Sequence, residues 1–273
     1  MKLGNDGPHS ESDVSDKNCL SYWFPRLVIA GVPVPRTVII DAGDNWHDLY
    51  HLLDGKTPPI ADNLASSIRD AADPLGYPAF LRTGQGSGKH SWKDCCFLAS
   101  PEAVPSHIAS LIEWSECVDF LGLCYRIWAV REMLPVEPVA VLPRYGNMPL
   151  VKEVRCFIAG GAIVCQHPYW PPGSIADGFG MRSLSPRGGV REGSLEDAAR
   201  LAAAIHGSEP ATDDEPRWRP IAEQVARAFA DDGAWSVDLL ATNRGWFVTD
   251  MAEAKRSFHW EGCPHALGLR GSP

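Results

Sequence analysis

Between residues 235 and 252 two runs rich in β-branched and aromatic residues, Trp235–Thr242 and Trp246–Ala252, stand on either side of Asn243-Arg244-Gly245. Such a pair predicts a β-hairpin, with a three-residue loop that ends on glycine. Elsewhere apolar residues recur three or four positions apart. Leu64 and Ile68 lie in a run through Ala72 that Asp62-Asn63 can cap, and Val104, Ile108 and Leu111 follow Ser100-Pro101. Leu195, Ala198, Leu201 and Ile205 follow Ser194, and Ile221, Val225 and Phe229 precede Gly233. Each set predicts a helix with one buried stripe. A short helix is expected over Tyr22–Ile29. Strands are expected at Thr37–Ile40, Ala79–Thr83, Cys95–Leu98, Arg126–Met133, Val151–Ile158 and Ala162–Cys165.

Proline and glycine clusters punctuate this pattern. Asp73-Pro74 and Gly76-Tyr77-Pro78 interrupt the chain once, and Leu134-Pro135 interrupts it again. The organisation expected is a disordered tail over 1–18, an N-terminal lobe over 19–75, a central subdomain over 76–135, a C-terminal subdomain over 136–267 and a frayed end over 268–273. Gly173 to Gly193, rich in Gly, Arg and Ser, is expected to be mobile, and Gly207 to Pro216 to be a loop. A formal charge of −9 argues against a non-specific nucleic-acid binder, which needs a basic face. The eight cysteines include no C-x-x-C pair and read as reduced core residues of a cytoplasmic protein, not as a zinc site or a disulfide framework. The first eighteen residues hold no apolar signal core, and no run approaches the roughly 20 apolar residues of a membrane span.

Candidate chemistry falls at a few places. If Thr242 pairs with Trp246, Asp238 stands opposite Asp250, with Cβ atoms about 4.5–5.5 Å apart. Opposed like charges destabilise a sheet unless a cation compensates them, and Mg²⁺ favours carboxylate oxygens. The alternative is that one acid sits at a frayed or bulged position and points into solvent. Residues 84–94, Gly-Gln-Gly-Ser-Gly-Lys-His-Ser-Trp-Lys-Asp, offer three glycines with Lys89 and Lys93. Glycines let amides approach an anion and lysines bring charge to phosphate. A solvated turn is the other reading, and the spacing is not that of a Walker A motif. Pro135 is expected to leave free backbone groups near Glu132 to Leu134. Glu153 and Arg155 share the polar face of a strand, either as a surface ion pair or as an anion-binding arginine. His167 to Pro172 is expected to form a rigid aromatic loop.

In order along the chain, Trp23-Phe24-Pro25, Phe80-Leu81-Arg82 with the loop to Lys93, Lys152-Glu153-Val154-Arg155-Cys156-Phe157, and Ser236-Val237-Asp238 with Thr249-Asp250-Met251 resemble the ATP-grasp superfamily. The likeness spans about residues 20 to 263. Within the superfamily the chain is similar to a branch containing eukaryotic cell-division-cycle proteins that help assemble a translation initiation factor, with bacterial and phage relatives. The resemblance implies an α+β, ATP-grasp fold: two α+β lobes holding ATP between antiparallel sheets, with a small N-terminal lobe. It implies that Arg82 and Lys89 contact the nucleotide phosphates, with Lys93 as a helper, and that Glu132, Met133 and Leu134 form the adenine hinge. Arg155 would reach the γ-phosphate or the acyl phosphate formed from it, so that Arg155 and Lys89 are the catalytic cations. Asp238 and Asp250 would hold Mg²⁺. The family commonly places an asparagine two residues after the second acid, and this chain has Ala252 there, so that ligand is either missing or supplied by Glu253, water or another loop. The activity implied is an ATP- and Mg²⁺-dependent ligase that activates a carboxylate as an acyl phosphate for attack by an amine, with a peptide or protein as a candidate substrate. The alternative is an ATP-binding assembly chaperone that recognises a protein partner with little turnover. A metal-dependent nuclease or phosphatase ranks last, because the sequence shows no further acid or histidine cluster near either Asp.

Overall fold

The computed structural model describes residues 16–118, 122–180, 200 and 214–266. By compactness the chain divides into two units. The first holds the chain up to Pro25 and Pro35–Met133, the second Arg26–Val34 and the chain from Leu134 onward. Helix α1 (Leu20–Ile29) carries the chain from one to the other.

The first unit is built on an antiparallel sheet in the order β1-β4-β2-β3. Its strands are β1 (Thr37–Asp41), β2 (Ala79–Thr83), β3 (Phe97–Leu98) and β4 (Ile127–Glu132). The sheet therefore runs across the Pro/Gly break at 73–78, with β1 before it and three strands after. Every residue of β4 is buried, as an inner strand with packing on both faces requires. Helices α2 (Pro59–Ala72) and α4 (Val104–Val118) bury Leu64, Ile68, Ile108 and Leu111 in one cluster with Leu81, Trp128 and Val130. Helix α2 begins before the expected Asp62-Asn63 cap, because proline at a first helical position has no amide to lose and a preset φ. Cys95 closes a short helix, α3 (Trp92–Cys95), and only Phe97–Leu98 is strand. A short apolar run suits either state, and the helical turn won here.

The second unit has its own antiparallel sheet, in the order β10-β9-β7-β8. A small hairpin precedes it, β5 (Ala140–Leu142) and β6 (Met148–Leu150), which the apolar pattern did not announce. The main strands are β7 (Glu153–Ala159), β8 (Ala162–Pro168), β9 (Ala234–Thr242) and β10 (Gly245–Glu253). Strand β8 takes in His167 and Pro168, expected as loop. Helix α5 (Pro172–Gly178) lies in the stretch expected to be mobile and packs on the small hairpin, where a Cβ on Gly178 would stand 3.0 Å from Leu142. Helix α6 (Glu215–Ala228) covers one face of the main sheet with Trp218, Ala222 and Val225, and Phe229 just beyond it meets Trp235 edge-on at 5.2 Å. It starts inside the segment expected to be loop. The helix expected after Ser194 and the frayed C-terminal end lie outside the described residues, as does most of the N-terminal tail. At that end Asp16 already accepts hydrogen bonds from the Asn18 backbone and side chain. Among the described residues no helix is long and apolar enough to cross a membrane.

Candidate functional site

The two carboxylates of the C-terminal hairpin do face each other, by a route the loop length did not foretell. Thr242 pairs with Gly245, not Trp246, so only Asn243 and Arg244 connect the strands. The Thr242 hydroxyl ties this turn by accepting from the Arg244 amide at 3.0 Å and donating to the Gly245 carbonyl at 2.8 Å. Carried on unbroken, that register would put Thr249 opposite Asp238. A β-bulge between Val248 and Asp250 absorbs Thr249, and Asp250 pairs with Asp238. The Thr249 hydroxyl donates to the Asp238 carbonyl at 3.3 Å across the bulge. Bulges re-aim side chains next to functional sites, and this one turns a mismatched hairpin into an opposed acid pair.

On the other side of β9, Arg155 of β7 pairs with Asp238. Directly paired residues share a face, so Arg155, Asp238 and Asp250 form a row across three adjacent strands. The ion pair expected for Arg155 exists, with a different acid. Its Nε and Nη2 donate to the two oxygens of Asp238 at 2.7 and 2.8 Å, and Tyr169 lies 4.6 Å from the guanidinium. The side chains of this pair are 16% and 8% exposed, so it is not a surface pair. Burial opposes the charge on Arg155, but the charge and hydrogen bonds of Asp238 outweigh it and hold the guanidinium pKa above its ordinary value. Glu153 turns instead to Trp170, whose Nε1 donates to it at 2.9 Å. A bidentate arginine occupies one lone pair on each oxygen of Asp238 and leaves the other two for a cation. Hard oxygen donors of this kind suit Mg²⁺. Ala252, paired with Ser236, offers only a methyl group on the same side of β10 as Asp250. Glu253 pairs with Trp235 and by strand alternation faces the other side of the sheet.

In the first unit, Arg82 lies buried on β2, with Nε donating to the Thr83 carbonyl at 3.0 Å. Lys89 stands in a short 3-10 turn and Lys93, exposed, on α3. Burial pushes the Cys96 thiol pKa up, while Lys89 and Arg82 pull it down, which puts both cations within electrostatic reach of one buried sulfur. Two of the three glycines between them are engaged in the fold. The Gly84 amide donates to the Ile127 carbonyl at 2.6 Å and the Gly86 amide to the Thr83 hydroxyl at 3.1 Å. A Cβ on Gly84 would fall 2.5 Å from the Cys19 sulfur, and one on Gly86 2.3 Å from the Trp114 ring. Those two glycines are there for close packing. The hinge segment differs in a similar way. The Glu132 amide is not free but donates to the Arg36 carbonyl at 2.9 Å, and its carboxylate accepts from the Arg36 amide at 2.9 Å and from Nε at 3.3 Å. Met133 and Leu134 lie past the end of β4.

Sequence reasoning missed Tyr169, the Thr249 bulge and one further grouping. Cys165 and His167 on β8 come together with His259 and Cys263, their ligand atoms all within 4.8 Å of one another. The signal was present as Cys-x-His and His-x-x-x-Cys, separated by more than ninety residues.

Two α+β units, each with an antiparallel sheet, and an acid pair on the C-terminal hairpin describe an ATP-grasp protein. The family described as ATP-grasp domain, R2K clade family 3, matches residues 72–259, and the chain belongs to it. Among solved structures, Cdc123 from Schizosaccharomyces pombe is similar at 10% identity and a TM-score of 0.51, over 89% of this chain and 85% of that one. A RimK domain ATP-grasp protein from Sphaerobacter thermophilus is similar at 14% identity and a TM-score of 0.45, over 85% of this chain and 58% of that one. D-alanine–D-alanine ligase from Bacillus anthracis, complexed with ATP, gives 11% and 0.43, over 88% and 55%. The chain thus spans little more than half the length of the last two. No curated protein matches it.

Proposed function

We propose that this protein is an ATP- and Mg²⁺-dependent ligase that activates a carboxylate as an acyl phosphate for attack by an amine, with a peptide or protein as a candidate substrate. The observation that carries this reading is the row Arg155–Asp238–Asp250, assembled by three strands and one bulge within an ATP-grasp family member. In this reading Asp238 and Asp250 hold Mg²⁺, which when bound draws charge from the nucleotide phosphates. Arg155 and Lys89 supply positive charge to the phosphoryl group, Arg82 and Lys93 assist at the phosphates, and Glu132, Met133 and Leu134 receive the adenine. Such catalysis is positioning and electrostatic stabilisation, which asks for no protein nucleophile.

Ala252 favours a second reading, in which the protein binds ATP and a protein partner with little turnover, since the family's usual asparagine is replaced by a side chain without a ligand atom. Two measurements separate the readings. ATP with Mg²⁺, and not ATP with EDTA, should raise the melting temperature; no shift at millimolar ATP sinks both. Release of ADP and phosphate across a panel of carboxylates paired with amines supports the ligase, whereas partner-stimulated ATP binding without ADP formation supports the second reading.

A further inference from the structure

Four side chains from two distant segments converge at the β8 edge of the second sheet. Cys165 and His167, two apart on β8, point to the same face. His259 and Cys263 come from the segment after β10, which is fastened where it crosses the sheet. The hydroxyls of Ser257 and Ser236 lie 2.5 Å apart, the Trp260 indole donates to the Pro168 carbonyl at 2.8 Å, and the His259 ring stacks on buried Phe157 at 4.0 Å. The Cys263 amide then donates to the Trp260 carbonyl at 3.3 Å, through a turn in which Gly262 has φ +79°. This turn brings Cys263 back beside His259.

Three of the four ligand atoms lie very close together, and the Cys263 sulfur is within 4.8 Å of each. Nε2 of His167 lies 3.2 Å from Nε2 of His259, and Sγ of Cys165 lies 3.3 Å from that same Nε2. A ring nitrogen has one in-plane direction for bonding, so a single hydrogen bond does not answer both neighbours. A tetrahedral ion does. With metal–nitrogen bonds of about 2.0–2.1 Å and metal–sulfur bonds of about 2.3 Å, two nitrogens stand about 3.4 Å apart and a nitrogen and a sulfur about 3.6 Å.

We propose that Cys165, His167, His259 and Cys263 form a four-coordinate site for a divalent ion of zinc type, which clamps the segment after β10 to the edge strand β8. Two thiolates and two neutral imidazoles select a borderline-soft ion over Mg²⁺, and four protein ligands close the coordination sphere, as in structural zinc sites. Binding breaks two S–H bonds and releases both protons to solvent. The thiolates balance the charge of the ion, so the centre is formally neutral. It lies one strand from the acid row, since His167 pairs with Arg155. The site stands on its own geometry, independent of the nucleotide reading.

The test uses tag-free protein, reduced, stripped with a chelator and titrated with Co²⁺. One equivalent should produce the intense visible bands of four-coordinate cobalt with thiolate charge transfer, and Zn²⁺ should bleach them. Cys263→Ser should weaken cobalt binding at least tenfold and shift the charge-transfer band, while Asp250→Asn leaves the spectrum unchanged. Chelation should lower the melting temperature of the zinc-loaded protein. A pale six-coordinate spectrum in the wild type overturns the proposal whether or not the variant folds. Two other results also overturn it: bands that disappear in Asp250→Asn and persist in Cys263→Ser, or a mass lower by two hydrogens with a Cys165–Cys263 disulfide in protein isolated without reductant.

Discussion

Asp238 is held from two sides, by the guanidinium of Arg155 through two hydrogen bonds and by its place opposite Asp250. The two acids therefore differ in what their loss should do. Asp238→Asn removes the partner of a buried charge, and breaking such a pair costs about 3–5 kcal/mol. Urea unfolding without nucleotide should show a loss at the lower end of that range, since asparagine keeps one acceptor. Asp250→Asn removes a like charge that stands opposite Asp238 and keeps an acceptor for the Met251 amide, so unfolding without metal should change less than in Asp238→Asn. Both should abolish the Mg²⁺-dependent part of the ATP thermal shift. If Asp250→Asn keeps that part, the acid pair is not the metal site. Among the lysines, Lys89 shares a locale with Arg82 and Lys93 is exposed. Lys89→Ala should weaken ATP binding about tenfold, which is about 1.4 kcal/mol, and Lys93→Ala less, as titration calorimetry would show.

At the scale of elements, the loop after β2 and the last hairpin each spend backbone geometry on position. In the loop, two glycine amides bond within the fold and two glycine Cα atoms make room for Cys19, Ile127 and Trp114. Gly86→Ala should destabilise the protein by about 1–3 kcal/mol without nucleotide, the cost of overpacking. An unaffected midpoint in urea would mean that Trp114 moves aside and the packing account is wrong. In the hairpin, a short turn and a bulge cancel. The alternation of apolar residues marked both strands, but the pairing was legible only as far as the turn type could be guessed. That guess put Gly245 in the loop, whereas it pairs with Thr242. The opposition of Asp238 and Asp250 was reached from a premise one residue off, and Thr249 makes up the difference.

Across the whole molecule, each unit has its own sheet and helices, and the cysteines report on both. Cys117 is exposed, while Cys19, Cys95, Cys96, Cys124 and Cys156 are buried. Burial pushes the Cys95 thiol up to about 11 and moves Cys96 and Cys156 in the same direction, leaving almost no thiolate at neutral pH. A thiol reagent at pH 7 should modify Cys117 first and reach those five only as the protein unfolds, which mass spectrometry of partly labelled protein would show. Early labelling of Cys96 would mean the first sheet opens locally. Saturation with ATP and Mg²⁺ at about 100 times the Kd should add about 2.7 kcal/mol to stability.

The sequence by itself determined the class of fold and most of its elements, because apolar periodicity, prolines and glycines act over a few residues and leave a local trace. It also carried the order of Arg82, Lys89, Arg155, Asp238 and Asp250, enough to show the family resemblance. Tertiary structure alone decided what each side chain meets. Arg155 turned to Asp238, eighty-three positions away, and not to nearby Glu153, because strand order sets neighbours across a sheet. For the same reason, Cys165-x-His167 and His259-x-x-x-Cys263, far apart in the chain, became one cluster. Coordination depends on distance in space, and the fold supplied that distance by laying the segment after β10 along the edge of β8.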